Sequence, residues 1–160
     1  MRIIVISDTH GDFNRLRNVV LRHKSADLFL HLGDGAKEYF LIKSIYPDLP
    51  FMITRGNCDF EYPKLPSQHI LNVCSHTIFA SHGHEYGVKG GFDHYVNVAS
   101  KSHADIILYG HTHEKLTKYQ NNIYIMNPGS LSRPRDYVPS YGIIDIEGDS
   151  VITNIVEYKN

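Results

Sequence analysis

The sequence predicts an α/β fold: a two-sheet mixed β-sandwich flanked by helices. Three observations carry that expectation. Apolar runs rich in β-branched residues open the chain and recur along it. Amphipathic stretches separate the first three of those runs. The C-terminal third holds paired strand-like segments joined by turn residues. Strand–helix–strand–helix–strand with short connections is the pattern of a parallel sheet, and the paired segments add antiparallel strands to it.

The elements follow in order. Arg2 to Ser7 (RIIVIS) is nearly continuous in apolar residues, as a strand buried on both faces is. Asp12 to Lys24 places Phe13, Leu16, Val19 and Val20 at helical spacing behind Asp12, a good N-cap residue. Asp27 to Leu32 (DLFLHL) reads as a second buried strand. Ala36 to Tyr46 reads as a second helix, stopped by Pro47, and Phe51 to Thr54 as a third strand. After Pro63 and Pro66, Ser67 to Cys74 and Thr77 to Ser81 suggest a β-hairpin turning at Ser75-His76. A helix over Phe92 to Ser102 and a buried strand over Asp105 to Tyr109 come next. Lys115 to Tyr119, Asn122 to Met126, Tyr141 to Glu147 and Val151 to Tyr158 read as antiparallel strands, the last two joined by Gly148-Asp149.

With 160 residues the chain suits one domain, 1–160, with enough length to bury a core. It carries 16 basic and 17 acidic side chains, a formal net charge of -1. No global basic field draws it to nucleic acid or to an anionic membrane. Cys58 and Cys74 are its two cysteines, too few for a disulfide framework. The opening MRIIVISDTHGD turns acidic at once and lacks a signal-peptide core. No apolar run is long enough to span a bilayer, so a cytoplasmic protein with no membrane partner is expected.

Six short polar blocks interrupt the elements: SDTHG at 7–11, GDG at 33–35, RGNCD at 55–59, SHGH at 81–84, GHTH at 110–113 and NPGS at 127–130. The first five directly follow apolar runs. Ligand sites in open α/β sheets lie beyond the carboxyl ends of the strands, so the fold gathers these blocks on one edge. Singly, each has an ordinary explanation. Asp8 and Asp34 could cap turns, His82 or His111 could be satisfied polar residues, and the glycines could serve turns at positive φ. Together, carboxylates mixed with imidazoles at five strand ends are what a site for two divalent metals requires.

In this order, D-x-H, GD, GN, GH and GHTH resemble the signature of the calcineurin-like metallophosphoesterases. The SDTHG start, the GNCD block and the NPGS-x-x-x-PR ending are most similar to the small YfcE-like phosphodiesterases, over nearly the whole chain. The resemblance implies that fold and two divalent metal ions per chain. One would be held by Asp8, His10 and His113, the other by Asn57, His82 and His111, with Asp34 bridging. N and O donors without thiolate suit Mn²⁺, Fe²⁺, Zn²⁺ or Ni²⁺, with Mn²⁺ the first choice.

The implied activity is hydrolysis of phosphodiester bonds by a hydroxide bridging the two metals, with Asp34, Asn57, His84 and Cys58 the candidate catalytic residues. A charge count agrees with it: the ions bring +4 and two aspartates -2, leaving about +2 for an anionic substrate. His84 is expected to contact the substrate or to orient His82. Arg55 and Arg133 are expected to bind its phosphate oxygens, since the guanidinium fork suits them, and Arg135 flanks the same Pro134. Many superfamily members carry His after the GN; here Cys58 stands there, as it does in many YfcE-like proteins. Loss of a general acid costs about 10²–10⁴-fold, so activated diesters should turn over faster than alkyl esters.

The rival reading is a binding scaffold, because the same fold serves as a retromer subunit whose metal ligands are partly lost. Here the ligand set is complete. A nuclease is disfavoured by the absence of basic surface. The expected partner is a small phosphodiester, with nucleic acid disfavoured, and the resemblance allows a homodimer or homotetramer. His23, His31, His69, His76, His94 and His103 show no ligand spacing and read as ordinary exposed residues.

Overall fold

The computed structural model describes residues 1–159. Its element order is β1 (Arg2–Ile6), α1 (Phe13–Arg22), β2 (Leu28–His31), α2 (Ala36–Ile45), β3 (Phe51–Ile53), β4 (Gln68–Val73), β5 (His76–Ser81), α3 (Asp93–Ser100), β6 (Ile106–Leu108), β7 (Lys115–Gln120), β8 (Ile123–Pro128), β9 (Ser140–Glu147) and β10 (Ser150–Glu157). The expected helices and strands are present, with ends shifted by one or two residues, which is where helix and strand ends fray.

Two five-stranded sheets form the sandwich. One has the order β10-β9-β1-β2-β3, the other β4-β5-β6-β8-β7. β1, β2 and β3 are parallel, as are β5, β6 and β8, while β4, β7, β9 and β10 pair antiparallel. The period of two explains why the first strand is apolar throughout. Ile3 and Val5 face the space between the sheets, with Leu30, Ile78, Leu108 and Met126. Ile4 and Ile6 face the other way, onto Leu16, Val19 and Val20 of α1. α3 covers the far sheet through Tyr95 and Ala99, against Phe79 and Ile107. Each fully buried side chain of this kind contributes roughly 1.5–3 kcal/mol.

Asp12 caps α1 as expected, its carboxylate accepting from Arg15 N at 3.0 Å. The β4–β5 turn differs from expectation. It lies at Cys74-Ser75, not Ser75-His76, because Val73 pairs directly with His76. Cys74 takes φ 53°, and His76 joins β5, where its Nδ1 meets Asp105 Oδ2 at 2.6 Å. Two short 3-10 turns, His84–Tyr86 and Val88–Gly90, were not expected. Among the described residues no helix is long and apolar enough to cross a membrane.

All six parallel strands deliver their C-terminal ends to one edge. Asp8 and His10 follow β1, Asp34 follows β2, and Asn57 follows β3. His82 follows β5, His111 and His113 follow β6, and Asn127–Ser130 runs out of β8.

Candidate metal centre

The backbone at this edge is unusual. Asp8, His10, Asp34, His111 and His113 all have positive φ, between 39° and 66°. A side chain there costs about 1–2 kcal/mol relative to the right-handed region. Conformations like these persist where surrounding contacts over-determine them, typically at functional sites. The loops are laced together. Asp8 N donates to Gly33 O at 3.1 Å and His10 N to Asp34 O at 3.1 Å. Ser130 Oγ donates to Asp8 O at 2.8 Å. His111 N donates to Asp8 Oδ2 at 3.1 Å.

The structure brings seven of the predicted side chains together. Asp8, His10 and His113 offer atoms within 4.8 Å of one another, as do Asp34, His82 and His111. Asn57 Oδ1 lies 3.1 Å from His82 Nε2, so it belongs with the second group. Asp34 stands between the groups: its Oδ2 is 3.7 Å from His10 Nε2 and 3.5 Å from His82 Nε2. Its other oxygen, Oδ1, is already taken by Cys58 N at 2.7 Å.

Hydrogen bonds behind the imidazoles fix which nitrogen faces the centre. His82 Nδ1 donates to Leu32 O at 2.7 Å, and His113 Nδ1 donates to Arg133 O at 2.7 Å. A carbonyl only accepts, so in the neutral rings both Nε2 atoms present lone pairs inward. They meet other acceptors there. His113 Nε2 is 3.2 Å from His10 Nε2 and 3.1 Å from Asp8 Oδ1. His82 Nε2 is 3.2 Å from His111 Nδ1. Asp8 Oδ1 is buried and lacks a hydrogen-bond partner of acceptable geometry. Converging lone pairs with an orphaned carboxylate oxygen are resolved by cations, so this donor set fits divalent metal.

The electrostatics agree. Burial pushes the Asp8 carboxyl up, but the facing His10 and His113, the charge of His82 and the Ser7 hydroxyl outweigh it and hold it well below the usual carboxylate range. Asp34 is held at about 2: burial opposes this, and His82 and the Cys58 N–H prevail. Both are therefore anionic at neutral pH. Burial, then the charge of His82, lowers His111 to about 4. His113 is raised, chiefly by its pairing with Asp8. Burial lowers His82, but Asp34 and Asp8 raise it further. Burial first, then Asp34, pushes the Cys58 thiol up to about 11. Between carboxylates that thiol stays protonated and makes a poor nucleophile.

The other predicted residues are placed less evenly. Cys58 shares a cluster with His10 and Asp34. The His84 ring centroid is 5.3 Å from that of His82 and 6.0 Å from that of His111, at the rim. Arg55 is engaged elsewhere, with Pro63 O at 3.2 Å and Glu85 Oε1 at 3.4 Å. Arg133 holds His113 through its backbone carbonyl, and its side chain is exposed.

The supporting roles of three residues escape a sequence reading, although Asp59 and Asn127 lie in the polar blocks. Asp59 accepts four backbone N–H groups: Asp34 and Gly56 at 2.8 Å each on one oxygen, Gly35 at 3.1 Å and Ala36 at 2.9 Å on the other. It thereby pins two loops and caps α2, whose own N-cap, Gly35, has no side chain to do so. Asn127 bonds Gly110 O at 3.0 Å and Thr112 Oγ1 at 2.9 Å, steadying the loop that carries His111 and His113. His31, expected to be exposed, is only 3% exposed. Its Nδ1 accepts from Gly33 N at 3.1 Å, and its Nε2 is 3.2 Å from Thr9 Oγ1. His76 is likewise buried, and His23 and His69 are half-buried rather than exposed, while His94 and His103 are exposed as expected.

Comparisons with known proteins bear on this geometry. Residues 1–149 match the model of the calcineurin-like phosphoesterase superfamily domain. A probable metallophosphoesterase of Bacillus subtilis, YsnB, is 32% identical over 94% of this chain and 87% of its own. The Escherichia coli phosphodiesterase YfcE is 34% identical over 61% of this chain and 54% of its own. A predicted phosphoesterase from Streptococcus pneumoniae superposes with a TM-score of 0.80 at 29% identity, covering 98% of this chain and 88% of that one. With donors for divalent metal at the strand ends where the sequence blocks fall, and a family match over nearly its whole length, the chain belongs to the calcineurin-like phosphoesterase superfamily, with YfcE-like phosphodiesterases among its relatives.

Proposed function

We propose that the protein is a two-metal phosphodiesterase acting on small phosphodiesters, with Mn²⁺ the first choice of metal. The observation that carries this reading is Asp34 Oδ2, which lies within 3.7 Å of donors in both groups and so could serve an ion in each. Asp8, His10 and His113 would hold one, and Asn57, His82 and His111 the other. When bound, such a pair supplies an activated water and clamps the oxygens of an in-line displacement at phosphorus.

The chain's own groups set the rest. Two carboxylates against four imidazoles and one neutral amide leave the centre electron-poor, which favours an anionic ester. Asp59 and Asn127 hold the loops fixed, so little reorganisation is needed when substrate arrives. His84 stands beside His82 and His111, where it would contact the substrate or orient His82. Burial, then the charge of His82, lowers it and keeps it neutral at neutral pH. Cys58, whose thiol is pushed up to about 11, stands where the family's imidazole acid would, which supports slow turnover of alkyl leaving groups.

A binding scaffold has no need of five strained donors, and that is the physical ground for preferring an enzyme. The test is hydrolysis of bis(p-nitrophenyl) phosphate by chelator-treated protein with and without Mn²⁺, beside Asp34→Asn. Turnover that requires Mn²⁺ and is lost in the variant supports the reading. Folded protein that takes up Mn²⁺ without turning over any diester would favour the scaffold.

A further inference from the structure

We infer that Phe60 and Tyr62 form a stacking subsite for an aromatic arm of the substrate, such as an aryl group or a nucleobase. This rests on the metal-dependent phosphodiesterase reading and names the substrate class of that site. A cavity of about 260 Å³ brings His10, Asp34 and Cys58 of the metal centre together with Phe60 and Tyr62, and Lys37, Glu38 and Glu61 complete its wall. Its size is below the roughly 300–1,000 Å³ of drug-sized sites, so it suits one ring system rather than a whole dinucleotide.

Phe60 is 78% exposed, with no aromatic neighbour among the described residues. An aromatic ring left bare on a mobile tail would carry no message. This one is held in place. Asp59, immediately before it, is locked by four backbone N–H groups, and Tyr62 N donates back to Asp59 O at 2.9 Å. Tyr62 in turn stacks on Phe40 of α2, with ring centroids 5.3 Å apart and planes at 26°. The turn thus fixes the Phe60 backbone and presents a water-facing ring beside the metal centre. Stacking on such a ring accepts any flat π-system, whichever base it belongs to.

The test is calorimetric binding of methyl phosphate and of phenyl phosphate to Mn²⁺-loaded protein at pH 8. The two esters carry similar charge and differ by the ring. Wild type should bind phenyl phosphate roughly ten- to a hundredfold more tightly. Phe60→Ala should remove most of that advantage while leaving methyl phosphate within about twofold, and Phe60→Tyr should restore it. Because Phe60 is exposed, its removal leaves the core intact. Equal binding of the two esters by wild type overturns the subsite, as does an advantage that survives Phe60→Ala. Loaded wild type that neither binds methyl phosphate nor hydrolyses bis(p-nitrophenyl) phosphate overturns the phosphodiesterase reading itself, and the subsite with it.

Discussion

At the scale of single residues, Asp59 shows how much of a site can rest on a group that faces no ligand. Asp59 is 5% exposed, and its carboxylate takes four backbone N–H donors. Asp59→Asn would turn an amide NH₂ against two of those donors. Each unmet buried group costs about 1–3 kcal/mol, so the variant should lose about 3 kcal/mol in urea unfolding of the metal-free protein. Mn²⁺ affinity should fall about 10–100-fold, as it does when groups supporting ligands are removed. Unchanged affinity would mean the loops hold their shape without it. Asn57→Asp tests the charge argument. It adds a negative group beside His82 and should tighten Mn²⁺ while weakening methyl phosphate, both read by calorimetry. Tighter binding of both would contradict the electron-poor centre. The seven donor residues were legible in sequence because each directly follows an apolar run, and position after a strand is a sequence property. Asp59 and His31 were not. Besides one nearby backbone N–H each, their partners are the backbone of residues 34–36 for Asp59 and the Thr9 hydroxyl for His31, all more than twenty residues away, and nothing in the adjacent letters records that.

Among elements, the strands and helices were legible because burial has a period. β1 is apolar throughout since it is covered on both faces, and α1 shows Leu16, Val19 and Val20 on one side. The β4–β5 turn was misplaced by one residue because a His beside a Ser looks like a turn; the pairing of His76 with Asp105 draws it into the strand. The loops after β2 and β3 are packed backbone to backbone, which sequence shows only as two glycines. A Cβ at Gly56 would lie 2.1 Å from Asp34 Oδ1 and 2.3 Å from Asp34 N. No rotamer relieves a clash with backbone, so Gly56→Ala must part the loops. The expected outcome is loss of Mn²⁺ binding with far-ultraviolet circular dichroism preserved, because the strands themselves do not touch that Cβ. Retention of wild-type Mn²⁺ affinity would show the loop contact to be dispensable.

For the whole molecule, the site couples metal, protons and stability. His82 and His113 titrate above the usual 6.5 in the metal-free fold. Groups raised in this way stabilise the fold below the unfolded value, and the contribution is lost as pH rises through the folded value. His31 and His111 are lowered to about 4, chiefly by burial. For them the unfolded chain binds more protons between about 4 and 6.5, so stability falls as pH drops through that window. Metal reverses the first effect, because it takes imidazoles only in the neutral form. A ligand at a hundred times its Kd adds about 2.7 kcal/mol, and in a chain this long each kcal/mol moves Tm by about 2–4 °C. Mn²⁺ at such a level should therefore raise Tm by about 5–10 °C at pH 8 and by little at pH 5.5, where protons hold His82 and His113. Thermal melts at the two pH values, with Mn²⁺ and with chelator, measure this directly. An equal rise at both would mean that the histidines are not donors, since carboxylates alone would bind alike across that range. The raised pair and the lowered pair respond to acid in opposite directions, so the chelated protein should change less between those pH values than the loaded one.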